Sequence, residues 1–136
     1  MATVQLEIRL DAESAEVWAL VGDYGAAGEL APGFAAACTL DGDDRIVTFA
    51  SGVVVREHLV TLDPDRRRLV YSARGGRAEH HNAVMEVVAL DGGRSLLKWT
   101  TDVLPDALAP FVAGMMEDGA AAISRRFASQ PEAASA

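Results

Sequence analysis

The chain has 136 residues, of which 50% are hydrophobic and 24% charged, and its formal net charge is −8. This length and composition fit one globular domain and argue against a disordered chain. The acidic balance argues against nucleic acid and anionic membranes as main partners, because both are polyanions. The single cysteine, Cys38, excludes an internal disulfide and a multi-cysteine metal site.

No stretch of the sequence is typical of a targeting or membrane-spanning segment. Residues 1–10 lack the basic start and the apolar run of a signal peptide. The longest weakly polar stretch, residues 107–116, has about half the length that a bilayer-spanning helix needs. We therefore expect a cytoplasmic protein that does not insert into membranes.

The pattern of apolar residues predicts a strand, two short helices and then a series of strands. Apolar and polar residues alternate over residues 3–10, which is typical of a half-buried strand. Short helices are predicted over residues 15–21 and 26–30, before the helix-breaking pair Pro32-Gly33. Turn residues then divide the chain into further strands. These six strands are predicted over residues 35–40, 45–50, 53–62, 69–74, 79–90 and 95–103.

A long helix is predicted over residues 106–127, and its apolar residues recur at steps of three and four, so that they share one face. They are Leu108, Val112, Met115, Gly119, Ile123 and Phe127. Short connections make consecutive strands antiparallel neighbours, and the long helix must cover their apolar face. We expect one α+β domain over residues 1–127, with a seven-stranded antiparallel sheet wrapped around this helix, and a flexible tail over residues 128–136.

The residues available for the interior predict a cavity between sheet and helix. The helix offers Met115, Met116 and Gly119, which are flexible or small, and only 6% of the chain is aromatic. Such residues fill a wide, curved sheet incompletely. A solid core of leucine and valine is the alternative.

Several short segments, in this order and spacing, match one known group of proteins. They are residues 17–25, Pro32-Gly33-Phe34 followed by Cys38, residues 47–52 leading to 55–59 and 62–63, residues 69–72, and Trp99 ahead of Pro105. With these segments the chain resembles the START/SRPBCC superfamily, and within it the bacterial polyketide cyclase/dehydrase-like group. The resemblance implies the helix-grip fold, but it does not imply one function, because the superfamily includes enzymes, carriers and regulators. The sequence departs from the family pattern at Leu30 and His81, where relatives often have Trp and Tyr.

Alternation along the strands indicates which side chains face the interior. In the last strand the apolar set faces the helix and Lys98 faces outward, which argues against an imine-forming lysine. This inward set is Leu97, Trp99, Thr101 and Val103. In the fourth strand we place Glu57 inside, because burying one charged group costs less than burying both of its neighbours, Arg56 and His58.

The partner of Glu57 stays open at this point. Arg45 shares a face of the third strand with Val47 and Phe49, and the pattern does not decide which face points inward. An inward Arg45 would pair with Glu57 and hold it ionised. An outward Arg45 would leave Glu57 desolvated, which suits a general acid or base. A Glu57 paired with an arginine for structure alone is the competing interpretation.

Tyr71 and His81 complete the predicted polar set, since both face inward by the same alternation. A buried tyrosine hydroxyl seeks a hydrogen-bond partner and can hold a ligand carbonyl or phenol. An imidazole can transfer protons near neutral pH. Both residues can instead be structural. His80 and His81 are adjacent in one strand and point to opposite faces, so we expect no metal site there.

These residues lead to one main hypothesis for the function, a hydrophobic, aromatic or polyketide-like small molecule bound in the cavity. The resemblance implies a cyclase, dehydratase or lyase, with Glu57, His81 and Tyr71 as candidate catalytic residues. The candidate ligand-binding residues are Arg45, Phe49, Met85, Trp99, Val112, Met115 and Gly119. We expect no cofactor, because such condensations draw their reactivity from the substrate.

Two other functions also fit the sequence. One is a non-catalytic carrier or sensor of a lipid, isoprenoid or hormone-like molecule. The other is an adaptor whose ligand state controls a protein partner. In each case the expected ligand is a hydrophobic small molecule. The sequence leaves open whether the protein forms a homodimer.

Overall fold

A computed structural model describes residues 1–128, in which seven strands form one antiparallel sheet with the order β1-β7-β6-β5-β4-β3-β2. From β2 to β7 each strand pairs with the next one along the chain, and β1 pairs with β7. The strands are β1 (Ala2–Leu10), β2 (Ala35–Asp41), β3 (Asp44–Phe49), β4 (Val54–Asp63), β5 (Arg68–Arg74), β6 (His80–Ala89) and β7 (Ser95–Leu104).

Over the same described residues, three α-helices accompany the sheet: α1 (Ser14–Val21), α2 (Ala27–Leu30) and α3 (Ala109–Arg126). The predicted long helix consists of a 3-10 turn over Asp106–Leu108 followed by α3. Pro110 lies in the first turn of α3, where its missing N–H costs no hydrogen bond. The α+β helix-grip architecture, with two short helices between β1 and β2, is confirmed.

Within residues 1–128, no helix is both long and apolar enough to cross a membrane. The tail predicted over residues 128–136 lies outside the described residues except for Ala128, which is exposed.

One end of the interior is solidly packed. Residues of β7 alternate between buried and half-buried along the whole strand, so Trp99 faces the helix and Lys98 lies on the outer face. We call the packed end the region formed by five large side chains that are at most 2% exposed and do not line the cavity described below. They are Leu10, Val17, Val21, Leu69 and Leu97.

The other end of the interior is open. Helix α3 lies closest to β1, at one edge of the sheet, and to α2. Along its first half, Val112 and Met115 face inward but remain only partly buried. Between these residues and the middle strands lies a cavity of about 450 Å³. The predicted cavity is therefore present, and the solid core exists at the packed end alone.

Candidate functional site

The cavity has the size and lining of a small-molecule site. Its volume of about 450 Å³ falls in the range of ligand pockets, and most of its lining is apolar. All ten residues predicted for the site line it: Glu57, His81, Tyr71, Arg45, Phe49, Met85, Trp99, Val112, Met115 and Gly119. The roles assigned to these residues stay predictions.

A buried ion pair lies in the cavity wall. Arg45 of β3 and Glu57 of β4 are cross-strand partners, so their side chains meet on the inner face. The Arg45 Nε atom donates to Glu57 Oε1 over 2.8 Å, and the two side chains are 7% and 11% exposed. Arg45 therefore faces inward, which resolves the question that alternation left open.

Two tyrosine rings hold the Arg45 guanidinium between them. Its Cζ atom lies 4.2 Å from the centroid of the Tyr24 ring and 4.9 Å from that of Tyr71. Arg45 Nη1 also donates to the Tyr24 carbonyl over 3.3 Å, and the Tyr24 hydroxyl donates to the Glu57 carbonyl over 2.9 Å. The charged pair is thus fixed from the loop after α1 as well as from the sheet.

The hydroxyl of Tyr71 is oriented by a second aromatic residue. Trp99 Nε1 donates to the Tyr71 oxygen over 3.2 Å, which leaves the phenolic proton to be donated elsewhere. Burial, together with the Glu57 carboxylate, raises the pKa of Tyr71 well above its ordinary value. Tyr71 is therefore a neutral hydrogen-bond donor on the cavity wall at physiological pH.

His81 lies where β5 and β6 separate. Regular pairing between these strands ends at Tyr71 and Ala83. Beyond that point the Ala73 N–H donates to His81 Nδ1 over 3.0 Å, and the Ser72 hydroxyl donates to the His81 carbonyl. Burial, and then the neighbouring His80, lower the pKa of His81, so the ring is neutral near pH 7. Because Nδ1 accepts a hydrogen bond, the ring proton is on Nε2.

The lining therefore combines one carboxylate with three groups that can donate hydrogen bonds, from Arg45, Tyr71 and His81. Such donors suit a ligand carbonyl or phenol oxygen, while Glu57 can accept a proton or a hydrogen bond. Within residues 1–128, no cluster of three His, Cys, Asp or Glu side chains could hold a metal ion.

Sequence reasoning missed two parts of the site. Tyr24 belongs to the family-like segment over residues 17–25, but the sequence does not predict it as a site residue. It lies in a loop, where no periodicity indicates which side chains face inward. The mouth of the cavity was not predicted either. It is formed by the β3–β4 turn, by the β5–β6 loop and by the start of α3, where Val54 and Phe111 are 59% and 49% exposed. The Arg77 guanidinium lies 5.9 Å from the Phe111 ring centroid across this mouth.

Solved structures with the same fold come from bacteria and a plant. An uncharacterised protein from Bacillus thuringiensis matches with a TM-score of 0.83 and 20% identity, covering 93% of this chain and 98% of that one. A Thermobifida fusca protein solved by NMR matches with a TM-score of 0.77 and 30% identity, covering 93% of each chain. Norcoclaurine synthase from Thalictrum flavum, in complex with dopamine and hydroxybenzaldehyde, matches with a TM-score of 0.70 and 19% identity, covering 91% of this chain and 84% of that one.

Sequence comparison gives the family. No curated protein matches the chain significantly. The family described as "Polyketide cyclase / dehydrase and lipid transport" matches residues 1–132, nearly the whole sequence. Family and fold together support a ligand-binding role for the cavity. The chain belongs to the polyketide cyclase/dehydrase and lipid transport family.

Proposed function

We propose that the protein binds a hydrophobic, aromatic or polyketide-like carbonyl compound in the cavity and catalyses its cyclisation or dehydration by proton transfer. The observation that carries this proposal is the presence of Glu57 beside the donors Arg45, Tyr71 and His81 in a mostly apolar cavity. The norcoclaurine synthase with a similar fold was solved with two aromatic compounds, one of them an aldehyde. That complex supports an aromatic ligand for this chain.

In the proposed mechanism, a ligand carbonyl oxygen accepts a hydrogen bond from the Tyr71 hydroxyl. Glu57 Oε1 accepts the hydrogen bond from Arg45, whereas Glu57 Oε2 accepts none from any residue in the described range 1–128. Oε2 is therefore the atom that takes a proton from the carbon next to the carbonyl. Tyr71 and the His81 Nε2–H stabilise the resulting enolate oxygen. The enolate carbon then bonds to a second carbonyl carbon of the same molecule, and the alkoxide that forms takes the proton back from Glu57 to give a hydroxyl group. In a dehydration, Glu57 next removes the remaining hydrogen of the same carbon, and the hydroxyl group leaves as water with the proton that Glu57 returns.

The apolar walls supply the rest of the catalysis. Phe49, Met85 and Met115 line the cavity, and they restrict the conformations of a flexible ligand. Bringing two carbonyl-bearing segments together in this way removes much of the entropic cost of ring closure.

A second function is favoured by the bonding of the polar lining. Glu57 is paired with Arg45, the Tyr71 oxygen accepts from Trp99, and His81 Nδ1 accepts from the Ala73 backbone. A wall in which each of these polar side chains already has one hydrogen-bond partner within the protein suits a carrier or sensor of a lipid or isoprenoid, which needs no proton transfer.

Mass spectrometry of small molecules that co-purify with the full chain separates the two functions, followed by incubation of the recovered compound with the protein. For an enzyme, Tyr71→Phe and Glu57→Gln should lower turnover about 10²- to 10⁴-fold while ligand binding persists. The matched control is Glu7→Gln, which changes an exposed carboxylate outside the cavity. Tyr71→Phe keeps the shape of the ring, so its result stands even where Glu57→Gln fails to fold.

Three results would overturn parts of this proposal. Wild-type turnover by both variants would remove Tyr71 and Glu57 from the reaction. Recovery of an unchanged ligand that the wild-type protein also leaves unchanged would favour the carrier. Absence of any bound hydrophobic molecule, with no binding of aromatic carbonyl probes, would contradict the ligand-binding role itself.

A further inference from the structure

The charges that line the cavity do not balance. Arg45 and Glu57 neutralise each other in the wall, and the remaining charged lining residues are Arg74 and Arg77 at the mouth. Glu57 is the single carboxylate among the lining residues in the described part of the chain. The mouth therefore carries surplus positive charge in a protein whose net charge is −8.

The two arginines come from one end of the molecule and are unpaired. Arg74 ends β5 opposite Arg56 of β4, so its side chain leaves the sheet on the outer face and borders the mouth from the edge. Arg77 lies in the β5–β6 loop after Gly75 and Gly76, whose positive φ values of 78° and 79° let the chain turn tightly. Both arginines are exposed, and across residues 1–128 neither has a carboxylate within salt-bridge distance. Arg77 reaches over the mouth toward Phe111 of α3.

This arrangement favours one class of molecule. A cationic rim beside an apolar cavity attracts anions and repels cations, most strongly at low salt. The guanidinium group in particular matches the geometry of carboxylate, sulfate and phosphate oxygens. A neutral hydrophobic ligand would gain nothing from either arginine, whereas an amphiphile with an anionic end would use both the cavity and the rim.

We infer that the ligand is an anionic amphiphile, with its hydrophobic body in the cavity and an anionic oxygen group, such as a carboxylate, at Arg74 and Arg77. This inference rests on the ligand-binding part of the proposed function and names the class of ligand. It does not depend on catalysis by Tyr71 or Glu57.

Two fluorescent probes with the same aromatic body test the inference. 1-Anilinonaphthalene-8-sulfonate carries an anionic group, and N-phenyl-1-naphthylamine lacks it. The full chain should bind the sulfonate more tightly than the neutral probe, and added salt should reduce the difference. In Arg74→Ala/Arg77→Ala the affinity for the sulfonate should fall about three- to tenfold, as for two exposed charge pairs, while that for the neutral probe stays the same.

Two control variants separate local charge from net charge. Arg94→Ala removes an exposed arginine beside the β6–β7 turn, at the end of the sheet opposite the mouth, and should leave both affinities unchanged. Arg77→Lys keeps the charge and should retain most of the preference for the sulfonate.

The possible outcomes distinguish this inference from the proposed function. The inference of an anionic ligand would be overturned if the two probes bound equally tightly, or if the double variant lost affinity for both probes to the same extent. Either result would leave the cavity as a binding site. Binding of neither probe would count against the cavity itself. If the double variant keeps the probe preference but no longer sediments with phosphatidylglycerol vesicles, the arginines serve a membrane surface and the inference is wrong.

Discussion

The two halves of α3 face different interiors although they belong to one continuous helix. In the second half, Ala122 and Ile123 are fully buried next to the packed end, and Ile123 lines the inner wall of the cavity. In the first half, Val112 and Met115 face the cavity, and Phe111 is 49% exposed at its mouth. The side chains opposite each half cause this difference, because the packed end offers leucine and valine while the open end offers a buried ion pair and a glycine-containing loop. Dense apolar packing and ligand access are thus separated along the helix.

The largest expected effect comes from the ion pair at the open end. Glu57→Leu leaves the Arg45 guanidinium buried between two tyrosine rings without its counter-charge. We expect the free energy of unfolding to fall by about 3–5 kcal/mol, as for other broken buried pairs. Urea denaturation followed by circular dichroism measures this change.

The matching double variant tests whether the lost charge balance is the cause. Arg45→Met/Glu57→Leu replaces both charges with apolar groups of similar size and should recover most of the stability. If the losses from the two single variants simply add in the double variant, the pair is not coupled and the open end is less dependent on it than we infer.

Most of the fold could be predicted because the periodic signals are local. The strand predicted over residues 79–90 is His80–Ala89, and the one over 69–74 is Arg68–Arg74, since alternation and turn residues mark their limits. Alternation also indicated that Tyr71 faces inward, where it is 4% exposed.

The finer geometry of the site could not be predicted, for three physical reasons. Both faces of β3 carry apolar residues, so the direction of Arg45 depended on its pairing with Glu57 in β4. The hydrogen bond from the Ala73 N–H to His81 Nδ1 forms because β5 and β6 separate at this point, and the local sequence pattern does not indicate that separation. The mouth joins Arg77 to Phe111, a loop residue and a helix residue that no sequence period connects.

A smaller effect is expected at the border between the two halves of α3. A Cβ atom on Gly119 would lie 3.0 Å from both Phe34 Cε2 and Trp99 Cη2, closer than ordinary contact. Gly119→Ala should therefore destabilise the protein by about 1–3 kcal/mol, because the Trp99 ring is held by its bond to Tyr71. Thermal unfolding gives the change.

Gly114→Ala is the control for this substitution within the same helix. Within residues 1–128, no atom apart from the neighbouring backbone of α3 lies within 4 Å of a Cβ placed there, so alanine should stabilise the helix by up to about 1 kcal/mol. The two substitutions should thus have opposite signs. A stabilising Gly119→Ala would mean that Trp99 and Phe34 can shift into the cavity, and that the border is less rigid than we infer.

The smallest effect is a pH dependence at the open end. Burial, and then His80, lower the pKa of His81 in the folded protein below its ordinary value of 6.5. The unfolded chain therefore binds a proton at His81 more readily, and stability should fall as the pH drops below 6.5 toward the lowered value. Denaturation midpoints measured between pH 7.5 and 5.5 reveal this slope.

His81→Asn separates the titration from the hydrogen bond. Its side-chain oxygen can still accept from the Ala73 N–H, which His81 Nδ1 now does, but it has no proton to gain over this range. The slope of stability against pH should therefore flatten. His80→Asn changes the exposed neighbouring residue and should keep most of the wild-type slope of stability against pH. An unchanged slope in His81→Asn would show that acid weakens the protein elsewhere, and that the strand separation beside the cavity is insensitive to pH.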